Sequence, residues 1–290
     1  MRKKIVGIFV CMLLINTLAI PISAITKEYE HNPISTGADV PVWKVGDSWT
    51  YNMELYIAAS QNVTDDMVAD VSGELIYEVV EDSGDTYKLT GKMSPFKGIV
   101  DLPGNIDMKV TRLSSYVSNL EIQKTNLAII NHYYSMKGIV RLTLGPIPLP
   151  IPIQIHHYRM SEFNPAFNIT PFPLKDGDSG TFADSEVTEE SETSMFWGLI
   201  PYIQKEIEWH IGDVEYTCNF ESITVPTGTY DAYNVTGELF YGEDGHDLYC
   251  SYYAEEIGNV VKSTTQIEFI NTGKTYYKME LELKSTTYTP

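Results

Sequence analysis

The alternation of apolar and charged side chains near residue 280 constrains the fold more than any other feature of the sequence. Between residues 278 and 284 every second residue is apolar, and all the residues between them are charged. Successive side chains of a β-strand point to opposite faces, so this run predicts a strand with one buried face and one wet face. Leu75, Tyr77 and Val79 show the same period within residues 73–81.

Turn-forming residues separate such runs. Glycine and proline stand there beside Asp, Asn, Ser and Thr, whose side chains fold onto the local backbone. The clusters occupy residues 81–85, 225–229, 242–247 and 271–274. Partly helical patterning is confined to residues 193–209, where Gly198 and Pro201 weaken it. The sequence therefore predicts an all-β fold, in which hairpins connect antiparallel strands.

Residues 145–153 depart from this pattern because proline alternates with aliphatic residues. The four prolines lack backbone N–H donors, which excludes the segment from the middle of a sheet. We expect an extended edge or a polyproline-like loop. Such an apolar run needs a partner, and the sequence leaves open the protein's own sheet, another chain and an apolar ligand.

The first 24 residues have the layout of a secretory signal peptide. Positive residues 2–4 precede an apolar run over residues 5–15, and small residues follow. This run is shorter than the roughly 20 residues that span a bilayer, which disfavours a retained anchor. We therefore predict cleavage, a linker over residues 25–42, and a β domain over residues 43–290. The mature protein is expected to be secreted or associated with the cell surface, without a membrane span.

The charge balance limits the partners. Asp and Glu number 39 against 20 Lys and Arg, which gives a formal net charge of −19. A chain that binds nucleic acid carries a basic surface for the phosphate backbone, and this chain lacks that excess. Nucleic acid is therefore excluded as an expected partner, and an anionic membrane surface is disfavoured.

Cysteine use follows from the predicted export. Cleavage would remove Cys11 and leave Cys218 and Cys250. A pair of cysteines in an exported chain predicts a disulfide. A metal site is the alternative, but no histidine stands at ligand spacing from either cysteine.

Three sequons predict glycosylation at Asn62, Asn168 and Asn234. Each has the Asn-x-Thr form that surface loops of exported proteins carry. About two such triplets would arise by chance in a chain this rich in Ser and Thr, so the sequons are weak support for a glycoprotein.

A Gly-Asp-Ser triplet occurs twice. Gly46-Asp47-Ser48 is similar to the nucleophile block of GDSL-type esterases, which would need a histidine base three residues after an Asp. No histidine of the chain stands there. Residues 43–51 align with residues 174–182, and a nucleophile rarely needs a second copy, whereas a turn that begins a strand does.

This repeat also bears on domain organisation. It predicts two related halves, residues 43–170 and residues 174–290, and it leaves open whether they form one sheet or two lobes.

Neither a metal nor a cofactor is expected. The acidic residues at 184–192 lack the spacing of a calcium loop and predict a solvated charged stretch. His156 and His157 would point to opposite faces of a strand and could not share a metal.

A family resemblance rests on three motifs in order. They are Trp43-x-Val45-Gly46-Asp47-x-Trp49-x-Tyr51, the Pro-x-Gly-Thr-aromatic hairpin at residues 225–235, and the aromatic strand ending in Gly-x-Val-x-Lys at residues 252–262. Together they resemble secreted lipoprotein carriers of the LolA/LolB-like group and related secreted proteins of unknown function. The resemblance covers about 30 turn and strand residues. It implies a large antiparallel sheet curled into an open half-barrel whose concave face holds acyl chains, and it carries over no catalytic residue.

The sequence therefore predicts an exported binding protein, a carrier or receptor for a lipid or another apolar ligand, and not an enzyme. Five aromatic residues are candidates for the ligand wall, although each is also a plausible core residue. They are Trp43, Trp49, Tyr51, Tyr252 and Tyr253. A structural or adhesive cell-surface module without a small ligand is the alternative, and an esterase that uses Ser48 is a distant third.

Overall fold

The computed structural model places the described residues in a single antiparallel sheet of sixteen strands, with no helix among them. The described residues are 37–58, 68–94, 97–102, 106–144, 147–182, 184–195, 200–203, 207–211, 214–241, 245–269 and 274–290. The predicted all-β antiparallel fold is confirmed, and the sheet is curved and open.

Sixteen strands follow one another along the chain. They are β1 (Ser48–Ala58), β2 (Val68–Ser83), β3 (Thr86–Met93), β4 (Lys97–Leu102), β5 (Ile106–Gln123), β6 (Ile129–Leu144), β7 (Ile147–Phe167), β8 (Asp178–Phe182), β9 (Ser185–Met195), β10 (Ile200–Ile203), β11 (Ile207–Ile211), β12 (Val214–Val225), β13 (Gly228–Tyr241), β14 (Gly245–Ala254), β15 (Asn259–Phe269) and β16 (Lys274–Thr286). Their order across the sheet is β10-β9-β7-β6-β5-β3-β2-β1-β16-β15-β14-β13-β12-β8, while β11 pairs with β9 and β4 pairs with β2 and β5.

The two ends of this order lie close together. At one end β8 pairs with β12, with Phe182 opposite Val214. Near the other end β9 pairs with β11, with Ser185 opposite Ile211. Phe182 and Ser185 are three residues apart, so the chain holds them within about 11 Å of each other. The open sheet therefore curves far enough to bring its opposite ends within reach of one short connection.

The two predicted halves contribute to the same sheet. Within each half, neighbours in sequence are largely neighbours in the sheet, as expected for hairpin-connected strands. The halves join twice, because β1 pairs with β16 and β9 pairs with β7. The first long strand of each half thus pairs with the last strand of the other. That the halves are related in origin stays a prediction.

The strand register defines an inner face. Directly opposite residues on neighbouring strands share a face, so a row of side chains can be followed from β1 to β9. In order they are Trp49, Tyr77, Gly91, Ser118, Tyr134, Arg159 and Ser191. We call the face of this row the inner face. It begins with an aromatic core at β1 and ends with buried polar residues at β7 and β9.

Two local predictions can be compared with the strands. The proline segment lies largely in β7, where Pro148 and Pro152 pair with β6, whereas pairing with β9 begins only at Ile155. The predicted extended conformation is thus confirmed for the described part of that segment, which among the described residues pairs on one side. The described parts of residues 193–209 are strands, so the partly helical patterning there was misleading. Both β10 and β11 pair with β9, and this strand pairing overrides the local pattern.

The disulfide predicted between Cys218 and Cys250 is wrong, because the two buried thiols are not bonded to each other. Cys218 lies opposite Val235 of β13, and Cys250 lies opposite the next residue, Thr236. Adjacent residues of a strand point to opposite faces, so the two sulfurs lie on opposite sides of the sheet. Their strands are also separated by β13, about 10 Å apart, whereas a disulfide needs Cα atoms within about 7 Å. Burial raises the pKa of the Cys218 thiol to about 11.

Candidate functional site

Trp43 and Trp49, two of the predicted ligand-wall residues, pack against each other at one end of the inner face. Their ring centroids are 4.9 Å apart, and the side chains are almost fully buried. The Trp43 Nε1–H donates a hydrogen bond to the carbonyl oxygen of Gly258 at 2.7 Å, and the Trp49 Nε1–H donates one to Ile257 at 2.9 Å. The Tyr87 hydroxyl accepts the backbone N–H of Trp43 at 3.1 Å. Both indole donors therefore have partners inside the protein.

Tyr288 and the turn between β14 and β15 complete this packing. The Tyr288 ring lies 6.0 Å from Trp49. Gly258 has a φ of +63°, and a Cβ at this position would stand 2.4 Å from the Tyr288 ring. Glycine is thus needed both for the backbone conformation and for the close approach. We call this set the indole cluster: Trp43, Trp49, Tyr87, Tyr288 and residues 255–258.

The other three predicted wall residues do not share one surface. Tyr51 lies on the inner face, and its hydroxyl donates to the Val260 carbonyl at 3.0 Å. Tyr253 is opposite Tyr233, whereas Tyr252 is opposite Asn234, so the two adjacent tyrosines point to opposite faces. The structure therefore brings Trp43 and Trp49 together and separates Tyr252 from Tyr253. Ligand binding by these five residues stays a prediction.

The two Gly-Asp-Ser triplets are matching turns. Gly46 and Gly177 both have positive φ, at 98° and 74°. The Gly46 N–H donates to the carbonyl oxygen of Val79 in β2, and the Gly177 N–H donates to that of Cys218 in β12. These are the strands with which β1 and β8 pair. Strands β1 and β8 begin immediately afterwards. The interpretation of the triplets as turns that begin strands is confirmed.

Ser48 has the contacts of a structural residue. Its hydroxyl lies 3.1 Å from the Thr287 hydroxyl, and its backbone N–H donates to the same oxygen. The preceding Asp47 is buried and accepts the Lys44 N–H at 2.7 Å, which fixes the turn. These contacts join the start of β1 to the residues that follow β16. They give no support to an esterase that uses Ser48.

The predicted glycosylation sites fall in different environments. Asn62 lies outside the described residues. Asn168 is partly buried, and its side-chain oxygen accepts the Thr170 N–H at 3.0 Å. Asn234 is 8% exposed, and its amide is hydrogen-bonded to Glu221 and Cys250. The surface position expected for Asn234 is therefore not what the structure has, and glycosylation at the three sequons stays a prediction.

A buried polar cluster lies on the inner face, across β5, β6, β7 and β9. It interrupts a face that is otherwise rich in apolar and aromatic residues. Its members are polar or ionisable, and most of them are less than 10% exposed. We call it the inner polar patch and define it by Ser118, His132, Tyr134, His157, Arg159 and Glu189. Buried polar groups are costly unless they are hydrogen-bonded, so the partners of each group are decisive.

Arg159 and Glu189 form the buried ion pair of the patch. The Arg159 Nη2 donates to Glu189 Oε2, and the two side chains are 4% and 9% exposed. The Nε and Nη1 atoms of Arg159 are also buried, and they have no hydrogen-bond partner among the described residues. Unpaired buried donors on a charged group cost free energy that the folded protein must offset elsewhere. Arg159 thus keeps buried hydrogen-bond donors that no described residue accepts, while its charge lies beside the Tyr134 hydroxyl.

The histidines of the patch are neutral. His132 Nε2 lies 2.9 Å from the Ser118 hydroxyl, and His157 Nε2 lies 2.8 Å from the Tyr134 hydroxyl. Burial lowers the pKa of each histidine to about 4, and the nearby Arg159 charge acts in the same direction. Near neutral pH both rings are therefore uncharged hydrogen-bonding groups.

Tyrosines surround the polar groups. The ring of Tyr116 is stacked with that of Tyr134 at 6.3 Å. Tyr77 reaches the patch because Gly91 stands between them, and a Cβ on Gly91 would lie 2.8 Å from the Tyr77 ring. Burial raises the pKa of Tyr116 to about 12 and also raises the pKa of Tyr77 and Tyr134. All three hydroxyl groups are therefore protonated near neutral pH.

The protonation state of the histidines limits the acid–base chemistry of this arrangement. Ser118 and His132 are within the distance of a nucleophile and its base, but a histidine with a pKa of about 4 is a weak base at neutral pH. No group of three or more His, Cys, Asp or Glu side chains among the described residues could hold a metal ion. The patch instead offers fixed donors and neutral polar groups beside apolar walls, which is the usual composition of a ligand site.

A second concave region lies on the outer face. A groove of about 590 Å³ runs over β1, β2 and β16. Its lining is polar and includes Asn52, Glu54, Ser72, Glu74, Ser94, Glu280 and Glu282. Lys262 lies 3.0 Å from Glu280 and 2.6 Å from Glu282, and Lys284 pairs with Glu74. Because lysines already compensate most of its carboxylates, this groove is a weaker candidate than the inner polar patch.

Sequence reasoning missed the patch. Glu189 was expected in a solvated acidic stretch, yet it is buried against Arg159, while its neighbour Glu190 is exposed. The available signal was polar residues at period two, in His132-x-Tyr134 and His157-x-Arg159-x-Ser161. The opposite orientation predicted for His156 and His157 is confirmed, because His156 contacts Ser135 and His157 contacts Tyr134.

Comparison of the chain with protein-family models, with curated proteins and with solved structures finds no match. The resemblance to lipoprotein carriers of the LolA/LolB-like group therefore stays a prediction that rests on the motifs alone. Among the described residues no helix is long and apolar enough to cross a membrane.

Proposed function

We propose that the chain is an exported binding protein, and that the inner face of its curved sheet holds an apolar ligand such as a lipid. The inner polar patch carries this proposal. Two buried donor atoms of Arg159 have no partner among the described residues, and apolar and aromatic side chains surround the patch. A pocket that is mostly apolar and contains a few convergent polar groups is the usual form of a small-molecule site.

The curvature of the sheet supports the same proposal. A curved sheet offers a concave face that can surround an elongated ligand, and strands on both sides of the patch extend well beyond it. Trp43 and Trp49, two of the residues first considered as the ligand wall, are held by protein contacts in the indole cluster. The proposal therefore places the ligand against β5, β6, β7 and β9, with the indole cluster as the support that fixes the curvature.

Native mass spectrometry of the full chain after gentle extraction tests this proposal. We expect a species heavier than the bare polypeptide by the mass of a lipid. The uncharged dye Nile red should bind with a rise in fluorescence, and an acyl lipid should displace it. A bare-chain mass together with no Nile red binding would contradict the proposal and would favour a cell-surface module without a small ligand.

A variant of the outer face serves as the control. Met160 and Tyr133 are opposite each other on β7 and β6 and are 39% and 36% exposed. They form an outer apolar surface to which a dye could adhere. Met160→Ser should leave Nile red binding unchanged if the dye occupies the inner face. A loss of dye binding in this variant would place the dye on the outer face and count against the proposal.

A further inference from the structure

We infer that the ligand presents an uncharged carbonyl oxygen, as in an acyl ester, to Arg159, and that the site selects against free fatty acids. This inference rests on the proposed function, since it assumes a ligand on the inner face. It concerns the chemical class of that ligand. The charges and donors of the inner polar patch, and of the residues packed against it, carry the inference.

The patch has no net charge to offer an anion. The positive charge of Arg159 is already compensated by Glu189. His132 and His157 are neutral, and the other polar side chains that the structure describes facing Arg159 from β2, β5, β6, β7 and β9 are hydroxyls. Those hydroxyls belong to Tyr77, Tyr116, Ser118, Tyr134, Ser161 and Ser191. A ligand carboxylate would therefore bring an uncompensated second anion next to Glu189.

Electrostatics makes such an anion unfavourable. Two carboxylates that share a buried site repel each other, and removing a charge from water is costly unless an opposite charge compensates it. A cationic ligand group is disfavoured by the guanidinium itself. The group that faces Arg159 is therefore expected to be uncharged.

The remaining N–H donors of Arg159 indicate which uncharged ligand group would bind there. A guanidinium has five N–H donors and no acceptor. Nη2 is used by Glu189, whereas the hydrogens on Nε and Nη1 have no partner among the described residues. A carbonyl oxygen accepts two hydrogen bonds and brings no donor that would itself need a partner. An ester carbonyl on an apolar chain thus satisfies Arg159 without adding charge.

Three probes with the same 16-carbon chain test this inference. They are 1-palmitoylglycerol, which has the carbonyl, its ether analogue 1-O-hexadecylglycerol, which lacks it, and palmitate, which carries a negative charge at pH 8. Their affinities for the full chain are measured by displacement of Nile red. We expect the ester to bind about tenfold or more tightly than the ether, because hydrogen bonds to a charged donor are lost without the carbonyl. Palmitate should also bind more weakly than the ester.

A double variant shows whether Arg159 is responsible. Arg159→Met combined with Glu189→Met removes both charges and keeps similar side-chain volume, which buried ion pairs tolerate. We expect this variant to bind the ester and the ether within about twofold of each other. The exposed pair Lys88 and Glu81, 3.0 Å apart, provides the control, since Lys88→Met with Glu81→Met should preserve the preference for the ester.

The outcomes separate this inference from the proposed function. Equal binding of ester and ether by the wild-type chain would overturn the inference and leave the carrier proposal standing. Tightest binding of palmitate would overturn it in favour of an acid group. An ester preference that survives in the double variant would show that Arg159 is not the group recognised. Failure of all three probes and of Nile red to bind would overturn both the inference and the proposed function.

Discussion

The indole cluster and the inner polar patch lie on the same face of one sheet, yet they differ in how their polar groups are satisfied. In the indole cluster both ring N–H groups and the Tyr87 hydroxyl have protein partners. In the inner polar patch, two buried nitrogen atoms of Arg159 have no such partner among the described residues. A fully satisfied cluster stabilises the fold, whereas spare buried donors are a cost that a ligand could remove. The comparison identifies the patch, and not the tryptophans, as the candidate site.

The largest expected effect comes from breaking the ion pair of the patch on one side only. Arg159→Met leaves the Glu189 carboxylate buried without its cation, which should lower the free energy of unfolding by about 3–5 kcal/mol. Urea denaturation measures this loss. The double variant with Glu189→Met should recover most of it. If the single variant is as stable as the wild type, the ion pair is not buried as described.

The next effect concerns the indole cluster. Trp49→Phe removes the N–H that the Ile257 carbonyl accepts and leaves a small cavity, so we expect a loss of about 2–3 kcal/mol in unfolding free energy. Ligand affinity per folded molecule should stay unchanged. Tyr158→Phe, which removes an exposed hydrogen bond to Glu190, is the matched control and should be close to neutral. Weakened ligand binding in folded Trp49→Phe would mean that the two clusters are not functionally distinct.

Acid should affect the patch before it affects the indole cluster. His132 and His157 have folded-state pKa values of about 4 and an ordinary value of 6.5, so the unfolded chain binds more protons between these values. The free energy of unfolding should therefore fall as the pH is lowered from about 6.5 to 4, by at most about 1.4 kcal/mol per pH unit for each histidine.

A histidine variant tests whether His157 contributes to this dependence of the unfolding free energy on pH. His157→Gln should flatten the profile relative to the wild type, whereas Thr90→Ser, a change at an exposed hydrogen bond that removes no ionisable group, should leave it unchanged. Chemical denaturation at several pH values gives the two profiles. Equal slopes in the wild type and in His157→Gln would contradict burial of a neutral His157.

The smallest effect is expected from reducing agents. Both clusters are held without a covalent link between Cys218 and Cys250, which lie on opposite faces of the sheet. Stability should thus be the same with and without a reductant. Alkylation in denaturant without reduction, followed by peptide mass spectrometry, should label both cysteines. Unlabelled cysteines that become reactive after reduction would show that the sheet pairing of β12, β13 and β14 is wrong.

The fold could be predicted from the sequence because its signals are local. Alternation at residues 278–284 and the turns at Gly46 and Gly177 depend on neighbouring residues, and the strands and turns are present as expected. The pairing of Cys218 and Cys250 was inferred from their number, but register decides which face each cysteine occupies. A shift of one residue along a strand reverses the face, and no local pattern fixes that.

The candidate site could not be predicted for the same reason. Arg159 and Glu189 are 30 residues apart and meet only because β7 pairs with β9 in a particular register. From the sequence, Glu189 looked like one member of a charged stretch, and its burial depends on strands that are distant along the chain. Trp43, Trp49 and Tyr51 were noticeable in the sequence, yet their donors are used by the protein. The aromatic residue types indicated the buried core, whereas the candidate site was recognised from the Arg159 donors that no described residue accepts.

The most direct test of the central claim is the ¹H–¹⁵N resonance of the Arg159 Nε–H group. The chain has four arginines, and the resonance can be assigned by its absence from the Arg159→Met and Glu189→Met double variant. We predict that 1-palmitoylglycerol shifts this resonance, because the ester carbonyl accepts the Nε–H, and that 1-O-hexadecylglycerol shifts it much less. Saturating ester that binds the protein and leaves the Arg159 resonance unmoved would contradict the account.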